Sequence, residues 1–140
     1  MIFSYSNFTT QDLRGTSIEQ LYTNIEADLR VSDGETLIYS EVLFPVAELA
    51  SKLLDWILEP ENERPNFNLD SMSFSEIGVI TITRKEGGWR IGSVLSSGAK
   101  SGILDEATLT EGVLQFVANV RSDVTAAGID SGFLSEGGKA

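Results

Sequence analysis

Between Ile25 and Phe44 the chain spells out a hairpin in its own periodicity. Ile25, Ala27, Leu29 and Val31 alternate with Glu26, Asp28 and Arg30. Successive strand residues point to opposite faces, so this is a strand with one buried face and one wet face. Ser32-Asp33-Gly34-Glu35 follows. A tight hairpin turn needs a positive φ that glycine adopts without steric cost, so Thr36 to Phe44 is expected to return antiparallel to the first strand. A two-stranded ribbon with one apolar face is not stable alone, and the rest of the chain has to supply its cover.

The flanking segments meet that requirement. Residues 2–8, with Phe3 and Tyr5 set against Ile2, Ser4 and Ser6, predict a further strand. Thr16 and Glu19 have the spacing of a capping box for a short helix over residues 17–23. Pro45 fits the first turn of a helix, where its missing N–H is not needed, and Val46, Leu49, Ala50, Leu53 and Ile57 recur at helical spacing. Leu54, Trp56 and Leu58 widen the apolar arc, so this helix is expected to be covered on two sides, with Glu48, Ser51, Lys52, Asp55 and Glu59 as a narrow polar edge.

The segment Glu59-Pro60-Glu61-Asn62-Glu63-Arg64-Pro65 reads as an exposed loop. Phe67 with Leu69, residues 77–83 and residues 89–95 predict more strands, the last two joined by a turn at Lys85-Glu86-Gly87-Gly88. Thr108 and Glu111 resemble a capping box for a second long helix, with Leu109, Val113, Phe116, Val117, Val120 and Val124 on one stripe and Gly128 as its stop. The expected fold is therefore α+β: an antiparallel β-sheet of five to six strands with two main helices packed on it. Residues 1–131 are expected to form one acidic domain, and residues 132–140 a flexible C-terminal tail.

Function is bounded more by what the chain lacks. Twenty-one Asp and Glu stand against ten Lys and Arg, with no His and no Cys in 140 residues, for a formal charge of −11. Imidazole and thiol supply most general bases, covalent nucleophiles and transition-metal ligands, so the composition favours binding over catalysis, and no cofactor is expected. The charge is uneven: residues 1–70 hold 13 acidic and 4 basic side chains, residues 71–140 hold 8 and 6. A surface this negative repels phosphate, which argues against direct nucleic-acid binding. The start Met1-Ile2-Phe3-Ser4-Tyr5 carries no export signal and no window is apolar enough to span a membrane, so a cytoplasmic location is expected.

Carboxylates alone can run acid and base chemistry, and Glu41, Asp70 and Glu76 flank predicted strands, yet each is better explained as a turn or wet-face residue. Asp28, Asp33 and Glu35 lack the spacing of a calcium loop. Gly87-Gly88 precedes a strand and cannot offer helix N-terminal amides to a phosphate. Trp56 and Trp89 are read as core in preference to partner anchors. What remains is the acidic set Glu26, Asp28, Glu48, Asp55, Glu59, Glu61 and Glu63, which is either a recognition surface or a solvated face that keeps the protein dispersed.

Asp70-Ser71-Met72-Ser73-Phe74, Gly78-Val79-Ile80-Thr81-Ile82-Thr83-Arg84 and Gly87-Gly88-Trp89-Arg90-Ile91-Gly92-Ser93 resemble an uncharacterised family of small bacterial domains. In outline the chain is similar to immunity proteins of toxin and immunity pairs, including those of contact-dependent growth inhibition. The resemblance implies a non-enzymatic module that binds and neutralises a protein toxin domain. A nuclease, whose own surface is basic to hold phosphate, would suit an acidic inhibitor. Two alternatives stay open. One is a small ligand-binding or carboxylate-based enzyme domain similar to nuclear transport factor 2, with a pocket lined by Trp89, Tyr39 or Phe67. The other is an inhibitor that mimics nucleic acid.

Overall fold

The computed structural model describes residues 2–96 and 98–134. Strand β1 (Phe3–Thr9) leads to a short helix α1 (Ile18–Asn24), then to the hairpin β2 (Glu26–Asp33) and β3 (Thr36–Phe44). Helix α2 (Val46–Ile57) follows, then β4 (Phe67–Asn68), β5 (Thr81–Lys85), β6 (Gly88–Gly92) and the long helix α3 (Glu106–Ala126). The fold is α+β with six strands, every pair antiparallel, as the hairpins require. The strands divide into two three-stranded sheets, β1-β2-β3 and β4-β5-β6, where one sheet was expected. The break follows β3, because α2 starts immediately after Phe44 and carries the chain away from that sheet before β4 begins.

The hairpin lies where the alternation placed it: Ile25, Ala27, Leu29 and Val31 are all buried, and Gly34 holds the turn at φ +61°. Ten of the twelve residues of α2 are buried, which makes it the central element of the molecule. It contacts β2, α1, α3 and a 3-10 turn at Ser131–Leu134. Trp56 near its C-terminus packs edge-on against Trp89 of β6 at 5.1 Å and tilted against Phe67 of β4 at 5.7 Å. The second sheet therefore covers the end of α2 that the first does not reach. The apolar stripe of α3 is buried as predicted, with Phe116 against Phe3 and Tyr5 of β1. Each such aliphatic or aromatic side chain contributes about 1.5–3 kcal/mol on burial.

Three boundary expectations are corrected. The α3 cap is Asp105, whose carboxylate accepts from the Thr108 amide at 2.7 Å, so the helix starts a turn ahead of the Thr108–Glu111 pattern. Likewise Ser17, not Thr16, caps α1 through the Gln20 amide. Gly128 does end α3, at φ +81°, with the amides of Gly128 and Ile129 returning to the last turn. Residues 131–134 form a 3-10 turn that runs past the expected boundary at residue 131. Leu134 is fully buried, its carbonyl accepts from Arg121, and Phe133 packs against Tyr22, so these two residues pack with the core. The remainder of the expected tail, residues 135–140, lies outside the described residues.

Gly88 opens β6 where the chain crosses residue 104. Trp89 and Leu104 exchange both backbone hydrogen bonds, at 2.9 and 2.8 Å, and a Cβ on Gly88 would sit 2.1 Å from the Leu104 carbonyl oxygen. Backbone cannot swing aside as a side chain does. Gly88→Ala is expected to destabilise the fold by about 1–3 kcal/mol in urea titration, with near-UV circular dichroism of Trp89 perturbed. A fully native midpoint would contradict this close crossing.

Candidate functional site

The sequence-predicted acidic residues divide into three environments. At the C-terminus of α2 the chain passes through Leu58, Glu59 and Pro60 into a 3-10 turn at Glu61–Glu63. The last turn of α2 holds no basic residue, although its carbonyls gather partial negative charge. Arg64 answers that need by folding back. Its Nη2 donates to the carbonyls of Ile57 (3.1 Å) and Glu59 (2.9 Å), and its Nη1 donates to Glu106 Oε1 at 2.9 Å. The guanidinium is buried and stacks on Trp56 at 4.9 Å and Trp89 at 5.6 Å. Arg84 stacks on Trp89 at 4.2 Å and donates to the carbonyls of Glu61 and Arg64. The Trp56 indole N–H donates to the Pro65 carbonyl at 2.7 Å.

Every one of these anchors grips main chain. The carboxylates of Glu59, Glu61 and Glu63 are exposed and, among the described residues, take no hydrogen bond or ion pair. Asp55 is exposed one turn back on α2. Glu59, Glu61 and Glu63 thus form an acidic ledge whose backbone is fixed and whose charges face solvent.

Glu48 does not belong to it. Expected on the polar edge of α2, it is fully buried: Oε1 accepts from Ser71 Oγ at 2.5 Å, and Oε2 accepts from the Met72 amide at 2.9 Å and from Lys52 Nζ at 3.2 Å. Lys52 also donates to the Asp70 carbonyl. The loop after β4 folds over this face of α2, which the helical pattern alone could not reveal.

Glu26 and Asp28 lie on β2, near the opposite end of α2. A helix of 12 residues spans about 18 Å at 1.5 Å per residue, so the structure does not bring this pair onto the ledge. Partial burial, and after it the nearby Asp12, pushes the Glu26 carboxyl up. Asp28 is held low, first by the Asn7 side-chain amide at 2.7 Å and then by the Leu43 backbone N–H at 3.1 Å. Those two partners are, among the described residues, the non-glycine residues of positive φ, Asn7 at 56° and Leu43 at 51°. Each falls where the strand register slips, so Asp28 buckles two β-bulges together across the centre of the first sheet.

The pocket reading finds its three aromatics committed to packing. Trp89 is fully buried with its N–H on Glu106 at 3.0 Å, Phe67 stacks on Trp56, and Tyr39 packs on Phe44 at 6.2 Å while donating to Glu41. A groove of about 440 Å³ lies elsewhere, between Ile2, the β2–β3 turn and the start of α3. Asp70 and Glu76 are exposed, and Glu41 lines a groove on the first sheet with Asp28. Asp33 uses its carboxylate on the Gly102 amide at 2.8 Å. Among the described residues no three His, Cys, Asp or Glu converge as metal ligands, and no helix is long and apolar enough to cross a membrane.

Sequence reading missed Arg64, Arg84 and Glu106, the residues that build the ledge. The available signal was Arg64 itself, a lone cation after three glutamates and the only basic residue between Lys52 and Arg84. Neither a curated protein nor a solved structure matches the chain. A family model described as "Domain of unknown function (DUF7878)" matches residues 1–126, from the N-terminus to the end of α3, and the chain belongs to that family.

Proposed function

We propose that the protein is a binding module that neutralises a basic protein, in the manner of an immunity protein covering a toxin domain of the nuclease kind, with the ledge at Glu59, Glu61 and Glu63 as its electrostatic contact and Asp55 beside it. The observation that supports this is that the ledge is anchored through its main chain and not through its carboxylates. Holding like charges together on a rigid loop costs folding free energy, and it leaves little ordering entropy to lose when a cationic surface arrives. Charges placed this way raise the association rate by steering and favour basic partners over acidic ones. Turnover has no comparable support, since the buried Glu48 and the partly buried Glu106 are each bound to structural donors.

The probe is the C-terminal domain of the polypeptide encoded directly upstream of this chain, titrated by calorimetry at low and high salt. Glu59→Lys, Glu61→Lys and Glu63→Lys combined are expected to weaken binding by about 30-fold or more at low salt and to flatten the salt dependence, with fold stability nearly unchanged. Unaltered affinity and an unaltered salt slope in that variant would remove the ledge from the mechanism.

A further inference from the structure

We propose that Val42 and Leu43 form the apolar anchor of a protein-docking surface on the open face of the first sheet, shaped for a partner that presents an apolar depression rimmed by lysine or arginine. The inference rests on the reading of this chain as a module for basic partners, but it concerns a different surface from the ledge and a different kind of contact.

Val42 is 67% exposed and Leu43 56% exposed, adjacent in sequence near the end of β3. Leu43 is also the chain's conformational outlier. At φ 51° it occupies the left-handed region, which glycine and asparagine enter readily and a leucine enters only against the clash of its Cβ. Asn7, the other non-glycine residue of positive φ among the described residues, is of a type that tolerates it. Nothing inside the fold calls for leucine at position 43: the side chain is more than half in water, while the bulge is held by the Leu43 main-chain N–H on Asp28. Glycine there would keep the hydrogen bond and lose the strain. The fold thus carries a strained backbone and an exposed apolar pair at one point, a combination that a contact outside the chain explains.

The surroundings select the kind of partner. A groove of about 370 Å³ adjoins Val42, lined by Ser6, Asp28, Arg30, Ser40 and Glu41 among others. Asp28 lies between the bulges, and Glu26 and Asp12 extend the same negative edge. Arg30 is the one cation among these, paired across the sheet with Ser4 and Ser40. An apolar centre with a carboxylate rim is complementary to an apolar depression with a cationic rim. A second copy of this chain, at −11, would bring more negative charge to the same edge.

The test uses the same upstream-encoded domain with single variants. Leu43→Gly is expected to weaken binding by about 30-fold or more, the loss typical of a central anchor, while its thermal midpoint stays level or rises because the strain is gone. Val42→Ser should weaken binding at least about 10-fold, and Leu43→Met, which keeps an apolar side chain, should stay within about threefold. The salt dependence should match that of the wild type, unlike that of the ledge variants. Wild-type affinity in Leu43→Gly overturns the inference and leaves the ledge standing. A change in self-association without a change in affinity reassigns the face to a second copy and overturns it too. A fall in the Leu43→Gly midpoint contradicts the strain on which it depends, and a probe that does not bind the wild type removes both proposals.

Discussion

Arg64→Ala is expected to cost about 3–5 kcal/mol of stability, the largest loss at any single position of the 59–65 segment, measured as a fall in the urea midpoint. The magnitude follows from what the guanidinium leaves behind. The carbonyls of Ile57 and Glu59 lose their donor at a helix end that has no other cation, and Glu106 keeps only the Trp89 N–H and Thr110 as partners. The stacking on two indoles is lost as well. Arg64→Lys should recover little, because a single ammonium cannot reach two carbonyls and a carboxylate in one plane.

The same substitution should change the acid limb of the stability profile. Burial acts to raise the Glu106 carboxyl, but the hydrogen bonds from Arg64, Trp89 and Thr110 and the charge of Arg64 outweigh it, and the net direction is down. A carboxyl depressed in the folded state adds stability above its ordinary value near 4.5 and loses it as pH falls through the lower folded value. The wild type should therefore lose part of its stability on acidification below about pH 4.5, and Arg64→Ala should lose less over that interval. An unchanged acid limb would mean that Glu106 is not coupled to Arg64 in the way its geometry indicates.

How much of this could be read in the residues differs by element. Where a segment's own pattern decides its structure, sequence reading succeeded: the β2–β3 hairpin from its alternation and Asp-Gly turn, α3 from its stripe and Gly128, and Trp56 and Trp89 as core from a wide helix arc and a strand start. It failed where distant chain decides. The partition into two sheets depends on α2 being wrapped from several sides, which no single segment's pattern encodes. The caps slipped by one to three residues because Ser17 and Asp105 compete with the neighbouring Thr16 and Thr108 for the same role.

The acidic surface was legible as composition and not as geometry. Glu59, Glu61 and Glu63 stand out in an exposed loop by their neighbours Pro60 and Pro65, and that reading holds. Its rigidity was not visible, because Arg84 and Glu106 reach the loop from 20 and more residues away. Asp28 was visible as a wet-face strand residue, but its grip on Asn7 and Leu43 depends on two register slips that no local pattern encodes. Burial of a charged residue is the hardest feature to anticipate, since the helical wheel that made Glu48 polar carries no trace of the loop that covers it.

For that reason Glu48→Ala provides the other large expected effect, a loss of about 3 kcal/mol. Removing the carboxylate leaves the part-buried Met72 amide and the buried Ser71 Oγ without their acceptor, and leaves Lys52 with the Asp70 carbonyl and the Tyr22 ring. Glu48→Gln should be milder, about 1–2 kcal/mol, because the amide oxygen can still accept from Met72 while its NH₂ donates to the serine oxygen. The damage should be local before it is global. Hydrogen exchange at the amides of Met72 and Ser73 is expected to accelerate in Glu48→Ala well ahead of amides in α3, since Ser73 depends on Ser71 Oγ at 3.0 Å. The ledge at the other end of α2 should keep its charge and its partner affinity. If Glu48→Ala instead abolishes binding while the residues 70–73 retain wild-type exchange, Glu48 is a contact residue and its assignment as the clamp of that loop is wrong.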